Sequence, residues 1–133
     1  MILVIQTNIV GHLSVWLING RGQIITSLQR RIKWHGSEQL LRLINQLIGR
    51  RWPRVKKIIV VRGPGPFTAV RTGLVVANTL AWLRSIPVIG VVYDYKLTIK
   101  DFPILTKLKL HRSKNIIYPW YGKEPNITKA KSK

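Results

Sequence analysis

The stretch Val61-Arg62-Gly63-Pro64-Gly65-Pro66-Phe67-Thr68-Ala69-Val70-Arg71-Thr72-Gly73-Leu74 has the order of strand, glycine turn and helix start that holds phosphate in nucleotide enzymes. A phosphate cradle needs backbone N–H groups aimed into the turn. Pro64 and Pro66 remove two of them. The Gly-Lys-Ser/Thr ending of a P-loop and the three spaced glycines of a dinucleotide fingerprint are both missing. Pro66 suits the first turn of a helix, and Gly65 the bend before it. A helix-launching elbow and an anion site both remain open, and the chemistry of the turn favours the elbow.

Other chemistry is scarce. The four acids are Glu38, Asp94, Asp101 and Glu124, scattered along 133 residues. Paired-carboxylate and two-metal mechanisms need acids that converge. The chain has no cysteine, which excludes thiolate nucleophiles, disulfides and cysteine zinc sites. His12, His35 and His111 have no metal-ligand spacing. Trp16, Trp34, Trp52, Trp82 and Trp120 could stack on bases where exposed, although Trp82 lies in an apolar helix and is expected to be packed.

Charge is the strongest compositional signal. There are 23 Lys and Arg, for a formal net charge of +19. They cluster at Arg30-Arg31-Lys33, across residues 50–57 and through residues 96–133. Attraction to RNA or an acidic protein is one reading, with Arg50, Arg51, Arg54 and Lys56 as RNA-contact candidates. General basic drift with a solvated tail is the other.

These residues need elements to position them. The length suits one compact domain. Residues 2–5 are a continuous apolar run and predict a buried strand. Residues 13–17 predict a second strand, and Asn19-Gly20-Arg21-Gly22 a hairpin turn into a third at 23–29. A helix follows, with Ser37 as N-cap, Glu38 in its first turn and Gly49 at its end. Leu40, Leu41, Ile44, Leu47 and Ile48 recur along it at helical spacing. Residues 58–61 form the fourth strand, residues 68–84 a second helix ended by Ile86-Pro87, and residues 88–92 a fifth strand.

The second helix is apolar on nearly all sides, so it should be buried on more than one. Gly73, Ala77 and Ala81 form a small-residue stripe along it, suited to close approach by another helix. That contact is either with the first helix alone or with a partner. Beyond Tyr93 the pattern weakens. Alternation around Leu108 and Leu110, and the run Ile116-Ile117-Tyr118, each suggest a further strand, and residues 129–133 a disordered tail. Met1 to Gly20 is uncharged but interrupted by Gln6, Asn8, His12 and Asn19, which argues against a membrane span or signal peptide.

The order β-β-β-α-β-α-β with this elbow resembles one lobe of the ribonuclease H-like, actin-like ATPase fold, an α/β class with a mixed sheet. The elbow is similar to that of the TsaB family of bacterial tRNA threonylcarbamoyladenosine biosynthesis proteins, which reads Gly-Arg-Gly-Pro-Gly-Ser-Phe-Thr-Gly-Leu-Arg-Ile-Gly. Arg62, Gly63, Pro64, Gly65, Phe67, Thr68 and Arg71 carry the match. So do Ile2-Leu3-Val4-Ile5-Gln6-Thr7, the helix start at His35 and Ser37-Glu38, and Ile86-Pro87-Val88-Ile89-Gly90-Val91. Tyr121-Gly122-Lys123-Glu124-Pro125-Asn126-Ile127-Thr128 resembles the family's C-terminal tail. Three positions depart from the pattern. Gln6 stands where the family has Asp, Pro66 where it has Ser, and Ala69 where it has Gly. In catalytic relatives that first-strand acid serves a metal–phosphate site, which a neutral amide cannot.

The resemblance implies a TsaB-like N-terminal lobe at 1–92, a reduced remnant of the second lobe at 93–128 and a basic tail at 129–133. It implies a cytoplasmic, non-catalytic scaffold without a cofactor. Its partner would be a TsaD-like catalytic subunit, with a TsaE-like ATPase, tRNA and a second copy of the chain as further partners. By carry-over, Leu40, Leu41, Ile44, Leu47, Gly73, Leu74, Ala77 and Ala81 are interface candidates; plain core packing is their other reading. Arg71 either anchors the elbow or touches the partner. A basic RNA-binding module on the same lobe is the alternative function, and an ATP-using or peptidase-like enzyme the least favoured.

Overall fold

The apolar runs form the expected strands, and their period of two decides what lies on each side of them. A computed structural model describes residues 1–33, 36–108 and 116–120. Strands β1 (Ile2–Gln6), β2 (His12–Ile18), β3 (Ile24–Arg31), β4 (Lys57–Val61) and β5 (Val88–Val91) form one sheet in the order β3-β2-β1-β4-β5. The pairs β1–β2 and β2–β3 are antiparallel; β1–β4 and β4–β5 are parallel. Asn19 makes the first hairpin: its Oδ1 accepts from the N–H groups of Arg21 and Gln23 at 2.9 and 3.0 Å.

One face carries Leu3, Ile5, Leu13, Val15, Leu17, Ile58 and Val60, and packs under α1 (Ser37–Ile48) and α2 (Phe67–Arg84). The other carries Ile2, Val4, Trp16, Ile18, Ile59 and Val61. It is covered by Leu97, Phe102 and Leu105, the last two on a short helix α3 (Phe102–Leu105). Phe102 is fully buried, with its ring centroid 5.2 Å from that of Trp16. Leu97, Phe102 and Leu105 thus form a third layer on the same sheet.

The helices begin and end close to where local chemistry predicts. The N-cap of α1 is Gly36 rather than Ser37, which is already helical and makes no capping hydrogen bond. Gly49 ends α1 at φ 55°, a conformation that favours glycine. The basic connector after it winds into a 3-10 helix, Gly49–Arg54. Ser85 closes α2 in the left-handed conformation, just before Ile86-Pro87. The expected strand at 108–110 is not seen at Leu108, which lies in a bend; Leu110 falls outside the described residues. Residues 116–118 belong to no strand. The segment 116–120 is instead held by hydrogen bonds exchanged with Arg62 and Asn78. Trp34, His35, His111 and residues 121–133 lie outside the description. Among the described residues, no helix is long and apolar enough to cross a membrane.

Candidate functional site

The elbow forms where β4 ends beside β1. A buried strand that ends in three polar residues must satisfy them, because a buried polar group without a partner costs about 1–3 kcal/mol. Gln6, Thr7 and Asn8 are 1%, 0% and 4% exposed. Each is spent on a different part of the chain. Gln6 Nε2 donates to Tyr95 O at 2.7 Å, and Gln6 Oε1 accepts from Leu97 N at 2.9 Å. Thr7 Oγ1 donates to Ala69 O in the first turn of α2. Asn8 Nδ2 donates to Pro64 O and to Tyr93 O, at 2.8 and 2.7 Å. Asn8 Oδ1 has no partner among the described residues.

The glycines permit this crowding. A Cβ on Gly65 would sit 2.6 Å from Asn8 O, and one on Gly73 2.5 Å from Thr7 Oγ1. Gly63, at φ 130°, would press a Cβ onto the carbonyl oxygen of Trp120. Arg62 Nε donates to Tyr118 O at 3.0 Å, and Arg62 O accepts from Trp120 N at 2.7 Å. The elbow is thus filled from both sides by backbone of residues 93–97 and 116–120. Pro66 sits one position before the first helical residue, and its carbonyl accepts from Val70 N. Thr68 and Arg71 face outward, and Arg71 stacks its guanidinium 5.0 Å from the Phe67 ring centre.

Among the described residues, no carboxylates converge here. Glu38 pairs with Arg42 on the surface of α1, and Asp94 is exposed. Asp101 accepts from Tyr93 Oη at 2.9 Å and from Thr98 N at 2.7 Å. The bond to Asp101, with desolvation and the nearby charges of Asp101 and Tyr95 adding to it, holds the Tyr93 phenol above its ordinary pKa. Among the described residues, no three His, Cys, Asp or Glu come together as a metal site.

The structure divides the interface candidates sharply. Leu40, Ile44, Leu47, Gly73, Leu74, Ala77 and Ala81 are buried within the chain, while Leu41 is 38% exposed. The small-residue stripe starts against the sheet: the neighbour that Gly73 admits is Thr7, directly after β1, not another helix. The outward apolar residues of α2 are different ones, among them Val75 at 57% and Trp82 at 79% exposed, with Phe67 and Leu83 also exposed. Trp82 is therefore not packed in the core. Gly36, Ser37, Phe67, Thr68, Arg71, Thr72 and Val75 line a surface groove of about 480 Å³ between the start of α1 and the first turns of α2. Arg50, Arg51, Arg54 and Lys56 are all exposed, on or just after the 3-10 helix.

Spacing did not identify Thr7, Asn8, Asn78 or Tyr93 as organisers of the elbow. The one signal available was a polar triplet directly after a buried strand.

A family model described as "TsaD: tRNA N6-adenosine threonylcarbamoyltransferase" matches residues 31–93. That span holds α1, the 3-10 helix, β4, the elbow, α2 and β5. The tRNA threonylcarbamoyladenosine biosynthesis protein TsaB of Bacillus subtilis (strain 168) is 49% identical over 37 residues. The resemblance to TsaB holds. Those residues are 28% of this chain and 16% of the Bacillus protein. The solved structure of YeaZ from Pseudomonas aeruginosa aligns with a TM-score of 0.60 at 29% identity, over 68% of this chain and 43% of that one. A structure titled as an uncharacterized protein with similarity to peptidase YeaZ, also from Pseudomonas aeruginosa, aligns with the same score and identity. The chain thus spans less than half the length of the TsaB-like structures it matches. The fold is the mixed α/β lobe of the actin-like ATPases, in a TsaB-like form.

Proposed function

We propose that this chain is a non-catalytic subunit in tRNA threonylcarbamoyladenosine biosynthesis, docking on a TsaD-like catalytic subunit through the outer surface of α1 and α2. The observation that carries the reading is the fate of the β1 terminus. Where a phosphate-using relative needs an acid, Gln6 is neutral, buried and bonded to Tyr95 and Leu97. A group already committed to two internal hydrogen bonds is not free to order a metal or a nucleotide. The docking surface rests on Leu41, Val75 and Trp82, exposed apolar residues on two adjacent helices. Large exposed aromatic and aliphatic side chains are typical interface anchors.

The burial pattern also chooses the test. Ala77→Arg, the natural variant from helical spacing, would place a charge at a fully buried position and report only on folding. Val75→Arg and Trp82→Glu change the surface and leave the core intact. Size-exclusion chromatography of the chain with the TsaD-like subunit of the same genome should give a co-eluting complex. The double variant should weaken it by at least about 100-fold, since each hot-spot residue is worth about 2 kcal/mol or more. A complex insensitive to both changes, or no complex at all, refutes the reading. Loss of self-association in the double variant, without any heterocomplex, would assign the same surface to a second copy of the chain.

A further inference from the structure

The opposite end of the parallel strands holds a feature that docking through α1 and α2 does not use. Ile2 of β1 pairs with Lys57 at the start of β4, and Ile58 with Val88 at the start of β5, so these three strands begin together. The 3-10 helix Gly49–Arg54 and the end of α2 reach the same place. The Met1 amino group donates to Arg54 O at 2.8 Å, Lys56 N donates to Met1 O at 2.9 Å, and Arg84 lies 4.4 Å over the Trp52 ring. Arg50, Arg51, Arg54, Lys56 and Arg84 are all exposed there.

Among the described residues, nothing acidic answers them. Among the described residues the one ion pair is Arg42–Glu38, in the first turns of α1. Glu38 lies twelve residues before Arg50, about 18 Å along a helix at ~1.5 Å per residue. That is roughly two Debye lengths at physiological salt. Asp94 follows the far end of β5, and Asp101 is taken by Tyr93 and Thr98. The C-termini of α1 and α2 contribute only about half a negative charge each. Five cationic side chains and an amino terminus exceed that several-fold. Burial, and then the charge of Lys56, pull the Met1 amino group below its ordinary pKa.

We infer that this basic end binds the sugar-phosphate backbone of a folded RNA, with Arg50, Arg51, Arg54, Lys56 and Arg84 neutralising phosphates. RNA fits better than an acidic protein for a structural reason. Protein interfaces are anchored by apolar side chains seated in desolvated pockets. The 3-10 helix has no buried residue. Backbone phosphates need only mobile cations in water, with counterions released on contact. The inference does not rest on the TsaD-like docking, which uses the outer surface of the two helices, and either can fail alone.

The test is fluorescence anisotropy with a fluorescein-labelled RNA stem-loop between 50 and 200 mM NaCl, a range over which such binding weakens steeply. The wild-type chain should bind with a steep linear dependence of log K on log salt. Arg50→Glu, Arg51→Glu and Arg54→Glu together should weaken binding at least about 10-fold and flatten the slope by about three, one for each phosphate no longer neutralised. Arg30→Glu, Arg31→Glu and Lys33→Glu remove the same formal charge at β3 and the segment after it. They should shift affinity by less than about threefold, the size of a screened long-range effect. Circular dichroism melts check that both variants fold, and Arg51→Ala with Arg54→Ala serves as a milder pair if either does not. Equal losses in the two triple variants overturn the placement. Displacement of the RNA by polyglutamate as effectively as by unlabelled RNA of equal charge overturns the choice of partner.

Discussion

The two ends of the parallel strands have been put to opposite uses. In open α/β sheets ligands bind outside the carboxyl ends of the strands. Here that end is closed: Gln6 at the end of β1 and Asn8 just after it donate to the chain's own backbone, and the glycines of the elbow admit neighbouring atoms rather than a ligand. The amino end is open, with basic side chains that lack acidic partners among the described residues. The difference lies in how polar groups are satisfied. At the carboxyl end each hydrogen bond is internal, so a change there should cost stability. At the amino end the cations are exposed and, among the described residues, meet no acid, so a change should alter binding more than stability.

The largest effect should come from Gln6→Glu, which places an acid at the end of the first strand. The carboxylate would keep the Leu97 N–H but face Tyr95 O without a proton to give. A buried acceptor set against an acceptor should cost about 2–4 kcal/mol at neutral pH. The sign of its pH dependence is fixed. Burial and the missing donor raise the folded-state pKa, so stability is recovered below the unfolded value near 4.3 and lost as pH rises through the folded one. Urea unfolding at two pH values reads this out. A neutral-pH stability equal to wild type would mean that the carboxyl end is open after all.

The course of the sheet was legible because each strand carries a local signal: apolar runs in β1 and β4, and Asn19 at the hairpin. The end of α1 at Gly49 was legible for the same reason. The third layer was not. Phe102 and Leu97 cover the sheet from positions some 90 residues beyond β1, and Gln6 meets Tyr95 and Leu97 at separations of 89 and 91 residues. No local periodicity encodes such a contact. Helix α2 shows a different limit. Spacing reveals that a helix is apolar, but when apolar residues surround it, spacing cannot tell the side that meets the sheet from the side that meets water. Gly73, Leu74, Ala77 and Ala81 therefore read as interface or core, and are buried within the chain, while Val75 and Trp82 are among the residues on the outer surface. The basic cluster at Arg50, Arg51, Arg54 and Lys56 was visible in sequence. The addition of Arg84 and Met1 to it was not, because only the sheet register brings those elements together.

A smaller effect is expected at Tyr93, where the closed end meets the third layer. Its folded-state pKa is raised, chiefly by the hydrogen bond to Asp101. The bond therefore stabilises the fold fully below the unfolded tyrosine value near 10, and its contribution fades as pH rises through the folded value. Tyr93→Phe should remove that alkaline step and leave the rest of the pH–stability profile in place. Thermal melts at increasing pH from neutrality upward give the measurement. An unchanged alkaline step in the variant would assign it to another group and loosen the link between residues 93 and 101.

The smallest effect should come from the amino end. Arg50→Ala, Arg51→Ala and Arg54→Ala should each shift stability by no more than about 0.5 kcal/mol, the usual range for surface changes. Arg51 donates to Leu47 O at 3.3 Å, a long and partly buried bond, so it should be the most sensitive of the three. Removing one of several mutually repelling cations should offset part of even that loss. Chemical denaturation of the three variants at low and high salt separates the terms. A gain on substitution at low salt that disappears at high salt is the signature of unrelieved repulsion. A loss of about 2 kcal/mol or more at any of them would show that these arginines hold the fold together, and the contrast between the two ends would collapse.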